Sequence, residues 1–132
     1  MSNPVFYESS TTTFGTSDFL LAFTVGATGA VPTTNAGYTV YPQFIKSVVR
    51  TGVGVYLITL NQPVLLLTQW NISNIQASFS TSGACDGYIS ADASNTTTPT
   101  IQVSYFNKAA TATEAAVGDS LRIYIGFRWK KA

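Results

Sequence analysis

Alternation of apolar and polar side chains dominates the chain, and it is clearest at the C-terminal end. Leu121, Ile123, Ile125, Phe127 and Trp129 recur at a period of two, with Ser120, Arg122, Tyr124, Gly126, Arg128 and Lys130 between them. Successive side chains of a strand point to opposite faces, so this stretch predicts a strand with one dry wall and one polar wall. Burying each of those five apolar groups is worth roughly 1.5–3 kcal/mol, against a net domain stability of about 5–15 kcal/mol. The final strand must therefore face a core.

The same pattern predicts strands elsewhere. Residues 19–25, FLLAFTV, place Phe19, Leu21, Phe23 and Val25 on one side. Tyr38–Tyr41 reads as a short strand before Pro42. Ile45–Arg50 and Val55–Leu60 flank Thr51-Gly52-Val53-Gly54, a turn whose glycines admit positive φ, which predicts an antiparallel hairpin. Pro63 closes it, since proline lacks the ladder donor. Val64–Trp70, nearly all apolar, reads as a strand buried on both faces. Alternation returns at Ile75–Phe79, briefly at Tyr88–Ser90, and at Thr100–Asn107. Lys108–Val117 has helix-favouring alanines but no apolar stripe, so a loop or single turn is expected there.

Seven to nine strands without an alternating series of helices predict an all-β fold. Its architecture is expected to be a two-sheet antiparallel β-sandwich of jelly-roll type. Residues 1–18 lack periodicity and set Val5, Phe6, Tyr7 and Phe14 among serines and threonines. Two readings stand for them: an extended arm whose aromatics anchor on a neighbouring surface, or a terminal strand along the protein's own sheet. The expected division is an arm at 1–18 and a sandwich domain at 19–132.

Composition narrows the function. The chain has 132 residues, a length suited to one domain with a real core. Only 10% are charged and the net charge is +1, so there is no long-range field to gather nucleic acid or an anionic membrane. Hydroxyl residues fill the gap, 19 Thr and 13 Ser. A charge-poor surface resists self-association weakly and suits a subunit packed against neighbours. No signal peptide or apolar run long enough to span a bilayer is read, so synthesis in the cytoplasm is expected.

The chemistry of catalysis is sparse. There is no histidine, the commonest general base and metal ligand. The six acids, Glu8, Asp18, Asp86, Asp92, Glu114 and Asp119, are scattered, and nothing forces Asp86 and Asp92 to converge on a bond or a cation. Cys85 stands alone and reads as a small buried hydrophobe. No catalytic, metal or cofactor-binding residue is assigned, and no enzyme activity is expected. The polar wall of the last strand, with Arg122, Tyr124 and Arg128, has the residue types favoured at protein interfaces, and these three are the subunit-interface candidates.

Two short stretches carry a resemblance. Gly54-Val55-Tyr56-Leu57-Ile58-Thr59-Leu60 and Gly118-Asp119-Ser120-Leu121-Arg122-Ile123-Tyr124-Ile125 resemble strands of the C1q and tumour-necrosis-factor jelly rolls. Residues 45–60, the Thr/Ala-rich loop that follows later, and Gly118–Trp129 resemble small structural proteins of tailed bacteriophages, including capsid decoration (cement) proteins. That resemblance implies a virion protein, a homotrimer on the outer capsid that stabilises the shell, with the major capsid protein as partner. It also implies that an arm carrying Val5, Phe6, Tyr7 and Phe14 engages the shell. The competing expectation is a fibre-tip or glycan-binding module in which Tyr38, Tyr41, Trp70 or Tyr88 stacks on sugars.

Overall fold

The computed structural model describes residues 14–31, 44–79 and 84–130. Seven strands account for nearly all of its regular structure: β1 (Phe14–Thr24), β2 (Ile45–Gly52), β3 (Val55–Leu60), β4 (Leu66–Ile75), β5 (Cys85–Ala93), β6 (Thr100–Asn107) and β7 (Ser120–Lys130). They form two antiparallel sheets, one ordered β1-β7-β4 and the other β2-β3-β6-β5. The expected all-β, two-sheet antiparallel sandwich is what the chain builds. A jelly roll has eight strands in two Greek keys; the seven described strands stack three on four.

The strand order has a further regularity. If β2 to β7 are taken as A to F, the sheets read A-B-E-D and C-F, which is the order of a seven-stranded immunoglobulin-type sandwich. The remaining position, beside F, belongs to the last strand in that order, and here the N-terminal β1 fills it. The topology is thus a circular permutation of that arrangement. It says nothing of function by itself.

β7 sits in the middle of its sheet because both neighbours need it. It pairs with β1 over eleven residues without a shift, from Phe14 opposite Lys130 to Thr24 opposite Ser120. Its other edge pairs with β4, where a bulge falls between Leu67 and Gln69. The apolar wall read from the sequence lies inward: Leu121, Ile123, Ile125 and Phe127 are buried, and Trp129 is partly so. They pack with Phe19, Leu21, Phe23 and Val25 of the β1 segment against Tyr56, Ile58, Leu60, Ile101, Val103 and Tyr105 from the facing sheet. Each of the two buried tyrosines finds an acceptor. Tyr56 donates to the Gly29 carbonyl at 2.7 Å and Tyr105 to the Ser73 carbonyl at 3.1 Å.

Several boundaries differ from the sequence reading. Of the expected arm, Phe14–Asp18 form the first part of β1 opposite Lys130–Gly126, as the terminal-strand reading holds; residues 1–13, with Val5, Phe6 and Tyr7, lie outside the described residues. The expected strand at Tyr38–Tyr41 also lies outside them. Val64–Trp70 is not buried on both faces: β4 is an edge strand, Leu67 and Ile72 face the core, and Leu66 and Trp70 are exposed. Ile75 ends β4 rather than opening another strand, and Phe79 is exposed.

Residues 108–117 form a loop, and its backbone donors explain why. Asn107 accepts the amides of Ala109 (2.9 Å) and Thr111 (3.1 Å), and Thr113 donates to the Tyr105 carbonyl at 3.2 Å. Side-chain and cross-strand acceptors thus take the place of helical ones. Glu114 then pins the loop, accepting from the Arg50 guanidinium (Nε at 2.8 Å) and from the Gly54 amide at 3.0 Å. Asp119, buried at the start of β7, accepts from Asn74 Nδ2 (3.1 Å), the Ala77 amide (3.0 Å) and the Ala116 amide (3.2 Å). The Gly-Asp that opens the last strand is therefore a clasp joining three segments.

Candidate assembly face

The three-stranded sheet turns its second face outward, and register dictates what appears there. Side chains directly opposite one another share a face, so the outer rows run Thr16-Arg128-Leu66, Asp18-Gly126-Gln69, Leu20-Tyr124-Asn71, Ala22-Arg122-Ser73 and Thr24-Ser120-Ile75. The three interface candidates from the sequence, Arg122, Tyr124 and Arg128, are all on this face and all on its central strand. The β1–β7 ladder ends at the pair Phe14 and Lys130.

At the centre of the face is a hydrogen-bonded chain across all three strands. Gln69 Nε2 of β4 donates to the Tyr124 hydroxyl at 3.0 Å, and that hydroxyl donates to Asp18 Oδ2 of β1 at 2.9 Å. The bond to Asp18 holds the Tyr124 hydroxyl above its usual pKa, because ionising it would set a phenolate beside a carboxylate. Gly126 makes the chain possible. A Cβ there would stand 2.8 Å from Gln69 Cγ and 3.1 Å from its Nε2, so a larger residue displaces the arm that reaches Tyr124.

Around this chain the face mixes apolar and polar groups. Leu20, Leu66 and Ile75 are exposed, and Arg122 Nε is held by Ser120 Oγ at 2.9 Å. The face thus holds polar groups in place among exposed apolar ones, with one carboxylate already hydrogen-bonded. Asp18, Gln69, Leu20 and Ile75 escaped the sequence reading because they join the face through pairing partners about 50 to 100 residues away.

The other candidate chemistry stays dispersed. Asp86 accepts its neighbour Gly87's amide at 2.9 Å, and Asp92 accepts the Ser94 amide at 3.0 Å, so each carboxylate serves local backbone. Cys85 is half-buried and accepts from Asn74 Nδ2 at 3.2 Å; burial pushes its thiol upward, away from the reactive thiolate. Among the described residues, no three His, Cys, Asp or Glu side chains converge as a metal site would require.

Of the sugar-stacking candidates, Tyr38 and Tyr41 lie outside the described residues. Trp70 is 55% exposed on the β4 edge and Tyr88 49% exposed on β5. Tyr88 stands edge-on to Phe106, ring centroids 5.6 Å apart, at a groove on the outer face of the four-stranded sheet. Comparison with known protein families, curated proteins and solved structures gives no match to this chain.

Proposed function

We propose that this chain is a non-enzymatic structural subunit that works packed against other proteins, and that its setting is a virion. In that reading it is a capsid decoration protein, a trimer on the outer shell that bridges major capsid subunits and stiffens the lattice. The observation that carries it is the outer face of β1-β7-β4, where a fixed Asp18–Tyr124–Gln69 chain is surrounded by exposed Leu20, Leu66 and Ile75. The mechanism is mechanical: apolar groups leave water on contact, and pre-placed polar groups fix the orientation at small entropic cost.

Area sets a condition. Three strands about 4.8 Å apart and about 34 Å long present a flat footprint of roughly 500 Å². A specific interface needs about 800 Å² per partner, so the contact must take in a flank, a loop or the N-terminal segment. Repetition over many shell positions then adds avidity.

The test is direct. The purified chain should sediment as a trimer and bind emptied, expanded phage heads in saturable fashion, raising their resistance to heat. A monomer that binds no heads overturns the reading. The half-exposed Trp70 and Tyr88 favour a second reading, a fibre-tip or glycan-binding module, which a glycan array separates from the first because a cement protein shows no saturable sugar binding.

A further inference from the structure

The end of the sandwich where β7 begins carries three exposed apolar side chains. Phe79 is 88% exposed, the most of any large apolar residue described, Val117 is 68% exposed and Ile75 53%. Ile75 closes β4 in the outer row Thr24-Ser120-Ile75, so it belongs to this end and to the outer face of β1-β7-β4 alike. Val117 is in the loop that leads into β7. A Cβ at Gly118 would stand 3.5 Å from Ala77 Cβ, so the segments carrying Val117 and Phe79 lie side by side.

Asp119 fixes those two segments to each other. Its buried carboxylate accepts the Ala77 amide at 3.0 Å and the Ala116 amide at 3.2 Å. The Gly118 amide donates to the Val25 carbonyl at 2.9 Å, and that of Asp119 to the Ala116 carbonyl at 3.0 Å. These amides need no water, so covering this end leaves none of them without an acceptor. No charged residue occurs from Ile75 to Phe79 or from Ala115 to Gly118. Contact here therefore removes apolar surface from water with little polar cost, on a backbone already held in place.

Charge and area select what covers it. A lipid surface is met by apolar tips ringed with Lys and Arg. Here the cation one row along the sheet, Arg122, has its Nε on Ser120 Oγ, and the chain's net charge is only +1. The adjoining outer face carries Asp18 as well as Arg122, so copies of it are not driven apart by like charge. At their exposures Phe79 and Val117 offer roughly 250 Å² between them. Added to the flat footprint of roughly 500 Å², this brings the contact close to the about 800 Å² per partner that a specific interface needs.

We propose that the Phe79–Val117 end is buried against a second copy of this chain, as the continuation of the outer-face contact. The proposal deepens the assembly reading and rests on it. It names the loops that complete the contact, and it makes another copy, rather than the shell, what covers them. Phe79 is then the aromatic anchor of self-association.

The test compares full-length Phe79→Ser and Val117→Ser with Val49→Ser, a control half-exposed on β2 of the other sheet. All three side chains are largely in solvent, so the denaturation midpoint of the dissociated chain should not move. By sedimentation, Phe79→Ser should raise the dissociation concentration of the oligomer at least tenfold. Val117→Ser should raise it less, and Val49→Ser should leave it unchanged. A Phe79→Ser chain that associates like the unsubstituted one overturns the proposal and leaves assembly standing. With the oligomer intact, loss of binding to emptied phage heads in that variant assigns this end to the shell. Loss of binding to phosphatidylcholine vesicles instead assigns it to lipid, and either result overturns the proposal. Equal weakening by Val49→Ser overturns it too, because surface hydrophobicity at large would then drive association. A chain that sediments as a monomer at every concentration overturns both this proposal and the assembly reading.

Discussion

The Tyr124 hydroxyl donates to Asp18 across the β1–β7 pair at 2.9 Å, linking residues 106 positions apart on the outer face of the sheet. The next residue, Ile125, points the other way and is fully buried. Adjacent positions on one strand therefore answer to different surroundings. Ile125→Asp places an unpaired carboxylate in the core, at a cost of several kcal/mol, and should abolish the cooperative melting transition. Tyr124→Phe should leave that transition nearly unmoved while weakening self-association, since it removes polar groups fixed for contact. Calorimetry and sedimentation on the two variants check both halves. Equal loss of folding in both would show that the outer face is part of the core.

Two glycines in the strands should respond differently to a methyl group. A Cβ at Gly87 would be set on Ile72 Cγ2 and 3.0 Å from the Tyr105 ring, between the sheets where neither neighbour can retreat. Gly87→Ala should cost about 1–3 kcal/mol by overpacking, read as a lower denaturation midpoint. At Gly126 the added carbon meets the flexible arm of Gln69. Gly126→Ala should therefore be close to neutral in stability, yet part Gln69 from Tyr124 and weaken assembly.

Truncation separates the arm from the strand. Removing residues 1–13 leaves β1 whole, so the melting temperature should hold while oligomerisation falls. Removing 1–18 strips the partners of Gly126–Lys130 and uncovers Trp129, whose ring lies over Gly15. That variant should lose at least about 1–2 kcal/mol from Trp129 alone, with a red shift in its fluorescence.

Where burial alternates on a single strand, the sequence shows it plainly: β7, β3 and β6 have their inward residues where the period of two puts them. The β2–β3 hairpin is equally legible, because Gly54 takes the positive φ its turn requires. Legibility fails where tertiary pairing overrides local pattern. Leu65 and Leu66 extend an apolar run, yet β4 is an edge with a bulge, so only some of its apolar residues can turn inward. Phe14–Asp18 look like unpatterned arm, yet β7 offers them an unpaired edge. The outer face of β1-β7-β4 was half legible. Arg122, Tyr124 and Arg128 share a strand and so reveal themselves by spacing, whereas Asp18 and Gln69 come from strands distant in sequence.

The buried tyrosines make alkaline pH a probe of the core. Burial, with the Glu114 charge as the next cause, pushes Tyr56 up to about 12 from an ordinary value near 10, and burial raises Tyr105 further. Both phenols are thus held neutral in the fold at pH values where the unfolded chain has already released the proton. The stability these two phenols contribute should be fully present below about pH 10 and be lost as pH rises through 12, because the unfolded state binds fewer protons over that interval; the raised Cys85 thiol starts a smaller decline near pH 9. Chemical denaturation at a series of pH values should show the midpoint falling most steeply between about pH 10 and 12. Tyr56→Phe removes one of these contributions, leaving those of Tyr105, Tyr124 and Cys85, and should flatten the decline, at the expense of the hydrogen bond to Gly29. A slope unchanged in Tyr56→Phe would mean that Tyr56 already ionises near its ordinary value, with its hydroxyl open to water rather than closed against the Gly29 carbonyl.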